Sequence, residues 1–298
     1  MYQKNMSIKN YLKRGFKYIV SGVPQTKVSA HIVCSPPNEL LKGRVALITG
    51  GTSGIGMAIA KSFINSGAIV VITGRSRERL DKACDIIRHG NSGSCEIYGI
   101  ELDNIKVSEY KNKFIEIQKL LGNKKIDILV NNAGLRGGYL SNATEEEYDH
   151  IMDTNAKGTF FMTQMIANYM VDNGIHGNIL NITSASSIRP AVSAYHMSKW
   201  AIKGLTEGMS RSLAPYGICV NAIAPGPTAT PMLNKDGGLN GDISHPKNLL
   251  GRYVTPEEIA NMAVILVSDM SRTIIGDTIF MSGGSGIVTN EDVSFKFS

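Results

Sequence analysis

The sequence has few cysteines and no long apolar run. Its four cysteines, Cys34, Cys84, Cys95 and Cys219, are scattered over 298 residues and form no Cys-x-x-Cys pair. That spacing argues against a disulfide framework and against a structural metal site, so we expect free thiols in a cytoplasmic protein. No stretch of about 18 consecutive apolar residues occurs, which argues against a transmembrane helix.

Outside its N-terminal part the chain also lacks an excess of charge of either sign. The formal net charge is +6, and residues 1–43 carry seven lysines and arginines against one acidic residue, Glu39. The remaining residues are balanced, which argues against a nucleic-acid partner for the main domain. We predict a basic N-terminal extension over residues 1–43 and a single catalytic domain over residues 44–298.

The extension itself has an amphipathic pattern. Its apolar residues recur with helical spacing from Ile8 to Ile19, with lysines between them. We favour a helix that packs on its own domain or on a neighbouring subunit. The alternative is contact of residues 1–20 with an acidic membrane surface.

Short apolar runs alternate with longer segments of helical pattern from Arg44 onward. The predicted buried strands are residues 45–49, 68–73, 95–102, 126–130, 178–183, 218–223 and 277–281. Strands that alternate with crossover helices form a parallel sheet covered on both faces, and right-handed crossovers make it doubly wound. The predicted fold class is therefore α/β, a Rossmann fold. The segment "TPEE" at 255–258 predicts a helix start, with Thr255 as N-cap and Glu258 reaching back.

A glycine-rich segment, "TGGTSGIG" at 49–56, follows the first strand and opens the first helix. Gly50, Gly54 and Gly56 allow a tight turn and a close approach of the backbone to a pyrophosphate. The helix behind them offers free N–H groups and the positive end of its dipole. This strand, loop and helix together are typical of a dinucleotide-binding site.

The end of the second strand bears on the choice between NADP and NAD. It reads "ITGRSRER", with no carboxylate before Glu78. An acidic residue there would bind the ribose 2′-hydroxyl of NAD, whereas Arg75 is placed to meet the 2′-phosphate of NADP, with Arg77 or Arg79 assisting. We predict NADP. NAD remains the alternative, because arginine can also stack on adenine without binding a phosphate.

Several ordered motifs give the chain a family resemblance. They are "TGGTSGIG" at 49–56, "LDN" at 102–104, "NNAG" at 131–134, "TNAKG" at 154–158, "NITS" at 181–184, "YHMSK" at 195–199 and "APGPTAT" at 224–230. In this order and spacing the chain resembles the single-domain branch of the short-chain dehydrogenase/reductase family, from Gly43 to about Gly286. The resemblance implies an NAD(P)-dependent oxidoreductase that acts on CH–OH donors.

The resemblance implies a catalytic group of Ser184, Tyr195, Lys199 and Asn155. Tyr195 and Lys199 are four residues apart, so a helix would place them on one face. A phenol can deliver a proton to a ketone oxygen, and a nearby ammonium should lower its pKa from the usual value of about 10. Ser184 would hydrogen-bond the substrate oxygen. In the family Asn155 lies in a helix and seats a water linked to Lys199.

The resemblance also carries over a set of dinucleotide contacts. Those expected near adenine, the ribose and the carboxamide are Asp103, Asn104, Asn132, Ala133, Gly134 and Thr228. The other expected contacts are Gly50, Thr52, Ser53, Gly54, Ile55, Gly56, Arg75, Tyr195, Lys199, Pro225 and Gly226. Asn131 is expected to steady the sheet instead.

Other features concern the substrate. The 11-residue gap from Ser184 to Tyr195 is shorter than is common in the family, so we expect a reshaped pocket rim near Ile188–Val192. A long loop over 226–250 is expected to act as a lid. Arg136 and Arg189 flank the expected pocket and are read as surface charges, with contact to an anionic substrate as the alternative. His196 and Met197 follow Tyr195 in the sequence, and we interpret both as packing or interface residues.

The predicted function is hydride transfer between NADP(H) and a small polar ketone or secondary alcohol. Enoyl reduction is disfavoured. Relatives with that activity place the lysine seven residues after the tyrosine, and that position in this chain is Ile202. The segments 144–173 and 193–216 match the helices that build subunit faces in the family, so a homotetramer or homodimer is expected. The alternative function is an NADP-binding redox sensor or scaffold without turnover.

Overall fold

The computed structural model describes residues 39–90, 95–230, 243–245 and 248–285. Nearly all of the predicted extension and much of the predicted lid therefore lie outside the described residues. The described residues belong to a compact unit that spans Ser35–Ser298. Leu41 is fully buried in this unit, and its N–H donates to the Ser66 carbonyl at 2.9 Å. Where the extension ends stays a prediction.

Seven parallel strands form one sheet. They are β1 (Val45–Ile48), β2 (Ile69–Gly74), β3 (Ile97–Glu101), β4 (Ile128–Asn131), β5 (Asn178–Ile182), β6 (Cys219–Pro225) and β7 (Thr278–Met281). Their order across the sheet is β3-β2-β1-β4-β5-β6-β7. The strand order thus runs outward from β1 in both directions, which confirms the doubly wound Rossmann fold.

Helices connect the strands. They are α1 (Gly54–Asn65), α2 (Arg77–His89), α3 (Tyr110–Leu121), α4 (Glu145–Met152), α5 (Gly158–Asp172), α6 (Ala194–Leu213) and α7 (Pro256–Val267). A π-helical turn, Asp153–Lys157, joins α4 to α5, and short 3-10 turns cover Val107–Glu109, Ala185–Ile188, Ala214–Tyr216 and Asp269–Ser271. In the described part of the chain, no helix is long and apolar enough to cross a membrane.

Both faces of the sheet are covered, as the apolar strands predicted. On one face Phe63 of α1, Leu80 of α2 and Ile259 of α7 belong to a single buried cluster. On the other face Ile117 of α3 and Ile166 of α5 belong to a second cluster. Each large apolar side chain buried in this way stabilises the fold by about 1.5–3 kcal/mol. The strands are mostly apolar because both faces of the sheet are covered.

Polar contacts tie the sheet together at the amino ends of its strands. Arg44 precedes β1 and forms an ion pair with Asp127, which precedes β4. The same guanidinium donates to the Asn178 side chain of β5 at 2.8 Å and to the Val267 carbonyl at 3.3 Å. The Val45 N–H donates to Asp127 at 2.8 Å. We call Arg44, Asp127 and Asn178 the amino-end clasp, which joins three strands and the end of α7.

Candidate active site

The glycine loop begins the site at the carboxyl end of β1. Gly50 has a φ of 67°, and a Cβ there would lie 2.8 Å from Cα of Ala133. A Cβ on Gly56 would collide with the side chain of Asn132 and with the Gly50 carbonyl. Glycine is required at both positions, because the loop is pressed against the segment that follows β4.

The loop delivers the start of α1 to the site. Ser53 is the N-cap residue, but its side chain makes no capping hydrogen bond, and the first turn holds no acidic residue. The first N–H groups of the helix and the positive end of its dipole therefore remain available to an anion. This is the local geometry that binds a pyrophosphate.

The segment "NNAG" has a structural role besides the predicted one. The Asn132 amide donates to the carbonyls of Thr49 and Gly50 at 3.0 and 2.9 Å, so it holds the glycine loop in place. The Asn131 amide donates to Thr163 at 2.8 Å and to Asn181 at 2.9 Å. Asn131 therefore steadies the sheet, as expected.

Arginines flank the next part of the site, at the end of β2. Arg75 is exposed there, and Arg75 and Arg79 both line the cavity described below. Ser76 caps α2 by accepting the N–H of Arg79 at 3.3 Å. Arg77 instead pairs with Asp81 at 2.6 Å and donates to the Gly99 carbonyl at 3.0 Å. Of the two assisting arginines considered from the sequence, Arg79 is in position.

The segment after β3 is anchored from within the protein. The Asn104 amide donates to the Thr154 carbonyl at 2.9 Å, and the Tyr110 hydroxyl donates to the Asn104 carbonyl at 2.6 Å. Asp103 accepts the N–H of Ile105 at 3.4 Å. Asn104 is thus mostly buried, and its amide is already engaged.

Tyr195 and Lys199 project together from the first turns of α6. Lys199 Nζ lies 5.7 Å from the centroid of the Tyr195 ring. The helix starts here because Ser193 caps it, accepting the N–H of His196 at 3.2 Å. The ammonium of Lys199 is buried and donates to the Ile182 carbonyl at 2.8 Å. Burial without a neighbouring carboxylate lowers the pKa of Lys199 to about 8.

Ser184 follows the end of β5 by two residues and, like Tyr195, lines the cavity described below. It caps the 3-10 turn Ala185–Ile188, and its hydroxyl accepts the N–H of Ser186 at 3.1 Å. Burial raises the pKa of Tyr195, while the Ser184 hydrogen bond and the charge of Arg136 partly oppose that rise. The net shift is upward because burial outweighs the effects that stabilise the phenolate, so the lowered pKa that the sequence predicted for this phenol is not found.

Asn155 lies in the π-helical turn and not in a regular helix. It is fully buried; its Oδ1 accepts the Leu135 N–H at 2.7 Å, and its Nδ2 donates to the Leu135 carbonyl and to Ser198 at 2.9 Å. A Cβ on Gly134 would lie 3.4 Å from Asn155 Oδ1 and 3.6 Å from Lys199 Nζ. Asn155 and Lys199 thus approach the same glycine, and Asn155 sits behind the wall of the cavity.

One cavity of about 520 Å³ connects these parts. It runs along the carboxyl ends of the strands, from the glycine loop to Ser184, Tyr195 and Lys199. The predicted cofactor contacts that line it, besides Tyr195 and Lys199, are Gly50, Thr52, Ser53, Gly54, Ile55, Arg75, Asp103, Asn104, Asn132, Ala133, Gly134, Pro225, Gly226 and Thr228. Gly56 and Asn155 are not part of its lining and act behind it.

The far end of the cavity contains residues that sequence reasoning missed or assigned elsewhere. His196 was read as a packing or interface residue, but it lines the cavity, and Ser193 holds its Nδ1 at 2.5 Å. Tyr139 and Ser285 also line it. Tyr139 is brought there by an antiparallel bridge to Ser193, a contact for which the local sequence has no signal.

The comparisons with known proteins agree with this geometry. A family model described as short chain dehydrogenase matches residues 44–238.

The chain belongs to the short-chain dehydrogenase family.

Relatives within this family are similar over most of their length. A 3-oxoacyl-(acyl-carrier-protein) reductase of Thermotoga maritima is 35% identical over 248 residues, which cover 82% of this chain and 98% of that protein. A 3alpha-hydroxysteroid dehydrogenase of Mediterraneibacter gnavus is 35% identical over 254 residues, covering 83% and 98%. A crystal structure of an actinorhodin polyketide ketoreductase variant with NADPH superposes with a TM-score of 0.73, at 29% identity, covering 82% and 97%.

As a short-chain dehydrogenase the chain is an NAD(P)-dependent oxidoreductase that acts on small molecules, and its residues fit such a cofactor. Gly50 of the loop lines the cavity, and the start of α1 is available to a pyrophosphate. The described residues contain no cluster of side chains suited to a metal ion.

Proposed function

We propose that this short-chain dehydrogenase reduces a small polar ketone, or oxidises the matching secondary alcohol, with NADP(H) as cofactor. One observation carries the proposal. Ser184, Tyr195 and Lys199 converge at one end of the cavity whose other end is the glycine loop and the start of α1. A dinucleotide seated on the loop would therefore reach the only part of the described cavity that pairs a phenol with a buried ammonium.

The bound nicotinamide would supply or accept the hydride. Tyr195 delivers the proton to the carbonyl oxygen in reduction and receives it back in oxidation. Ser184 donates a hydrogen bond to the same oxygen and steadies the charge that develops there. The ammonium of Lys199 lies beside the phenol and stabilises the phenolate that remains after the proton has left. Asn155 holds the Leu135 backbone and Ser198, and so positions the wall next to Lys199.

The upward shift of the Tyr195 pKa bears on the direction of reaction. A phenol with a raised pKa stays protonated at neutral pH and is ready to act as an acid. This is the protonation state that ketone reduction requires of the proton donor. Alcohol oxidation requires the phenolate, and the burial of Tyr195 disfavours that form.

The preference for NADP rests on the end of β2. Arg75 and Arg79 line the cavity there, and the strand ends without a carboxylate. A guanidinium binds a phosphate through parallel hydrogen bonds, so a 2′-phosphate is favoured over a free 2′-hydroxyl. The actinorhodin ketoreductase, similar in fold, was solved with NADPH, which supports the same assignment.

Assembly into a homo-oligomer, a dimer or tetramer, and residence in the cytoplasm complete the proposal. Phe160 of α5 and Trp200 of α6 each expose 45% of their surface. A shallow hollow lined by Ala156, Lys157, Phe160, Ala201, Ile202 and Leu205 lies between these helices. Apolar side chains around a hollow are typical of a subunit contact. The thiols of Cys84, Cys95 and Cys219 are free, as suits a reducing compartment.

The test is substitution of the proton donor. Tyr195→Phe removes the phenolic O–H and keeps the ring, so NADPH-dependent carbonyl reduction should fall about a thousandfold. Stabilisation by NADPH, measured as the rise in melting temperature, should remain. A variant that keeps its turnover would refute the assigned role of Tyr195. If NADPH does not raise the melting temperature of the wild-type protein, the proposed cofactor site is wrong.

A further inference from the structure

We infer that the substrate end of the cavity contains a carboxylate-binding subsite anchored by Arg189. The inference rests on the proposed function and narrows its substrates to small oxo acids or hydroxy acids. The subsite is the part of the cavity lined by Arg136, Ser186, Arg189, His196 and Ser285. It adjoins Ser184 and Tyr195, so an anionic group bound here would belong to the molecule whose carbonyl meets the phenol.

The main chain of Arg189 is fixed from the helix that carries Tyr195. Its carbonyl accepts the indole N–H of Trp200 on α6 at 2.8 Å. Arg189 closes the 3-10 turn that Ser184 opens, with its backbone in the extended region. Its position is thus set on both sides by residues next to the catalytic group. Because the main chain is already ordered, ligand binding here carries no cost for ordering the backbone.

The guanidinium of Arg189 also has capacity for a ligand. It is half-buried, and its Nη2 donates to Ser285 Oγ at 3.1 Å. A guanidinium carries five N–H groups in a planar fork. Among the described residues Ser285 is its hydrogen-bond acceptor, so further donors of the fork remain for a ligand in the cavity. A carboxylate matches that fork with two parallel, charge-assisted hydrogen bonds.

The surrounding charges favour an anion at this end. Arg136 also lines it, and burial, followed by the charges of Arg189 and Arg136, lowers the pKa of His196, so the three basic groups lie close together. Of the described residues that line the whole cavity, the only carboxylate belongs to Asp103, which is expected near adenine.

Space also limits the ligand. The dinucleotide would occupy part of the same cavity of about 520 Å³. A carboxylate is among the smallest organic anions that the arginine fork binds through two oxygens. The subsite therefore suits a short chain that carries the carbonyl and the carboxylate a few bonds apart.

Binding can test this inference without turnover. The full-length protein is saturated with NADP⁺, so the ketones are not reduced, and their affinities are measured by calorimetry. The probes are pyruvate, acetoacetate and levulinate, each compared with its neutral methyl ester. We expect at least one acid to bind about tenfold more tightly than its ester. In Arg189→Gln that ratio should fall towards one, and Arg189→Lys should restore part of it.

A matched control and a second ligand pair make the test specific. Arg77→Gln removes an arginine that is outside the cavity and paired with Asp81, so it should leave the ratio unchanged. Dihydroxyacetone phosphate and dihydroxyacetone form the phosphate pair. Equal affinities of acids and esters, no measurable affinity for any acid, or a ratio unaltered in Arg189→Gln would overturn the subsite. A preference confined to the phosphate pair would overturn its assignment to carboxylates.

The proposed function fails by a different result. If the wild-type protein binds acids with the expected ratio but reduces none of the ketones with NADPH, the subsite stands and the reductase activity does not. If it reduces the esters as efficiently as the acids, the reductase stands and the subsite does not. The rise in melting temperature with NADP⁺ confirms that each variant is folded and holds the cofactor.

Discussion

Individual side chains in the site are held in place before any ligand arrives. Lys199 is fixed on the Ile182 carbonyl, Ser184 on the 3-10 turn and Asn155 on the Leu135 backbone. In each case the partner is a backbone group. Such preorganised groups need little rearrangement during reaction, which is the main way in which electrostatic stabilisation accelerates chemistry.

The burial of Lys199 should be visible in the pH dependence of reduction. Its pKa is lowered to about 8, so the ammonium is present below that pH and is lost as the pH rises through it. The raised pKa of Tyr195 keeps the phenol protonated over the same range. We expect kcat/KM for NADPH-dependent reduction, which reports on the free enzyme, to decline above about pH 8. A profile that stays flat up to about pH 10 would contradict this role of Lys199.

Arg75 should decide the cofactor preference. Arg75→Ala removes a guanidinium from the end of β2, so the KM for NADPH should rise about tenfold or more while the KM for NADH changes little. Steady-state kinetics with both cofactors measures the effect. Arg77→Ala is the matched control, because Arg77 is paired with Asp81 and should alter neither value. Equal losses with NADPH and NADH would mean that Arg75 does not read the 2′-phosphate.

At the residue scale the sequence was informative where the local pattern determines direction. The four-residue spacing of Tyr195 and Lys199 was enough to place both on one face of α6. It was not enough for Asn132, whose amide turns back onto Thr49 and Gly50, or for His196, which Ser193 draws towards the cavity. These orientations depend on hydrogen-bond partners that are distant in the chain or that cap a helix. The hydrophobic periodicity of the sequence does not reveal such partners.

Among the elements, the buried strands were the most predictable. Short, mostly apolar runs located all seven strands, because burial on both faces favours apolar residues. The π-helical turn Asp153–Lys157 was not predicted. It is stabilised by the pairing of Asn155 with the Leu135 backbone across a separation of 20 residues. Such turns are often found at functional sites, and this one brings Asn155 to Gly134.

The start of α7 offers a test at this scale. The sequence "TPEE" predicted a capping box, and the structure confirms that Thr255 accepts the Glu258 N–H while Glu258 accepts the Thr255 N–H. Thr255→Ala should lower the free energy of unfolding by about 1 kcal/mol. Thr255→Ser keeps the hydroxyl and should lose much less, as measured by urea denaturation. Equal losses in the two variants would show that the methyl group, and not the cap, matters here.

For the whole molecule, the exposed apolar surface of α5 and α6 predicts its assembly. Phe160→Glu places a charge on the hollow between these helices, so the proposed oligomer should dissociate into smaller species in sedimentation experiments. Leu120→Glu is the matched control, because Leu120 is 47% exposed on α3 and outside the hollow. If both variants sediment like the wild type, this surface does not form the subunit contact.

The amino-end clasp separates contacts that stabilise the sheet from residues that form the active site. Arg44, Asp127 and Asn178 connect the amino ends of the strands. Ser184, Tyr195 and the glycine loop lie at the carboxyl ends. Mutations that exchange one substrate for another can thus accumulate in the loops after the strands without loosening the clasp. Conversely, strengthening the clasp would raise the free energy of unfolding. The protein could then tolerate more substrate-changing mutations that lower its stability. The molecule is therefore suited to laboratory evolution, because stability and substrate preference can be selected separately, at opposite ends of the strands.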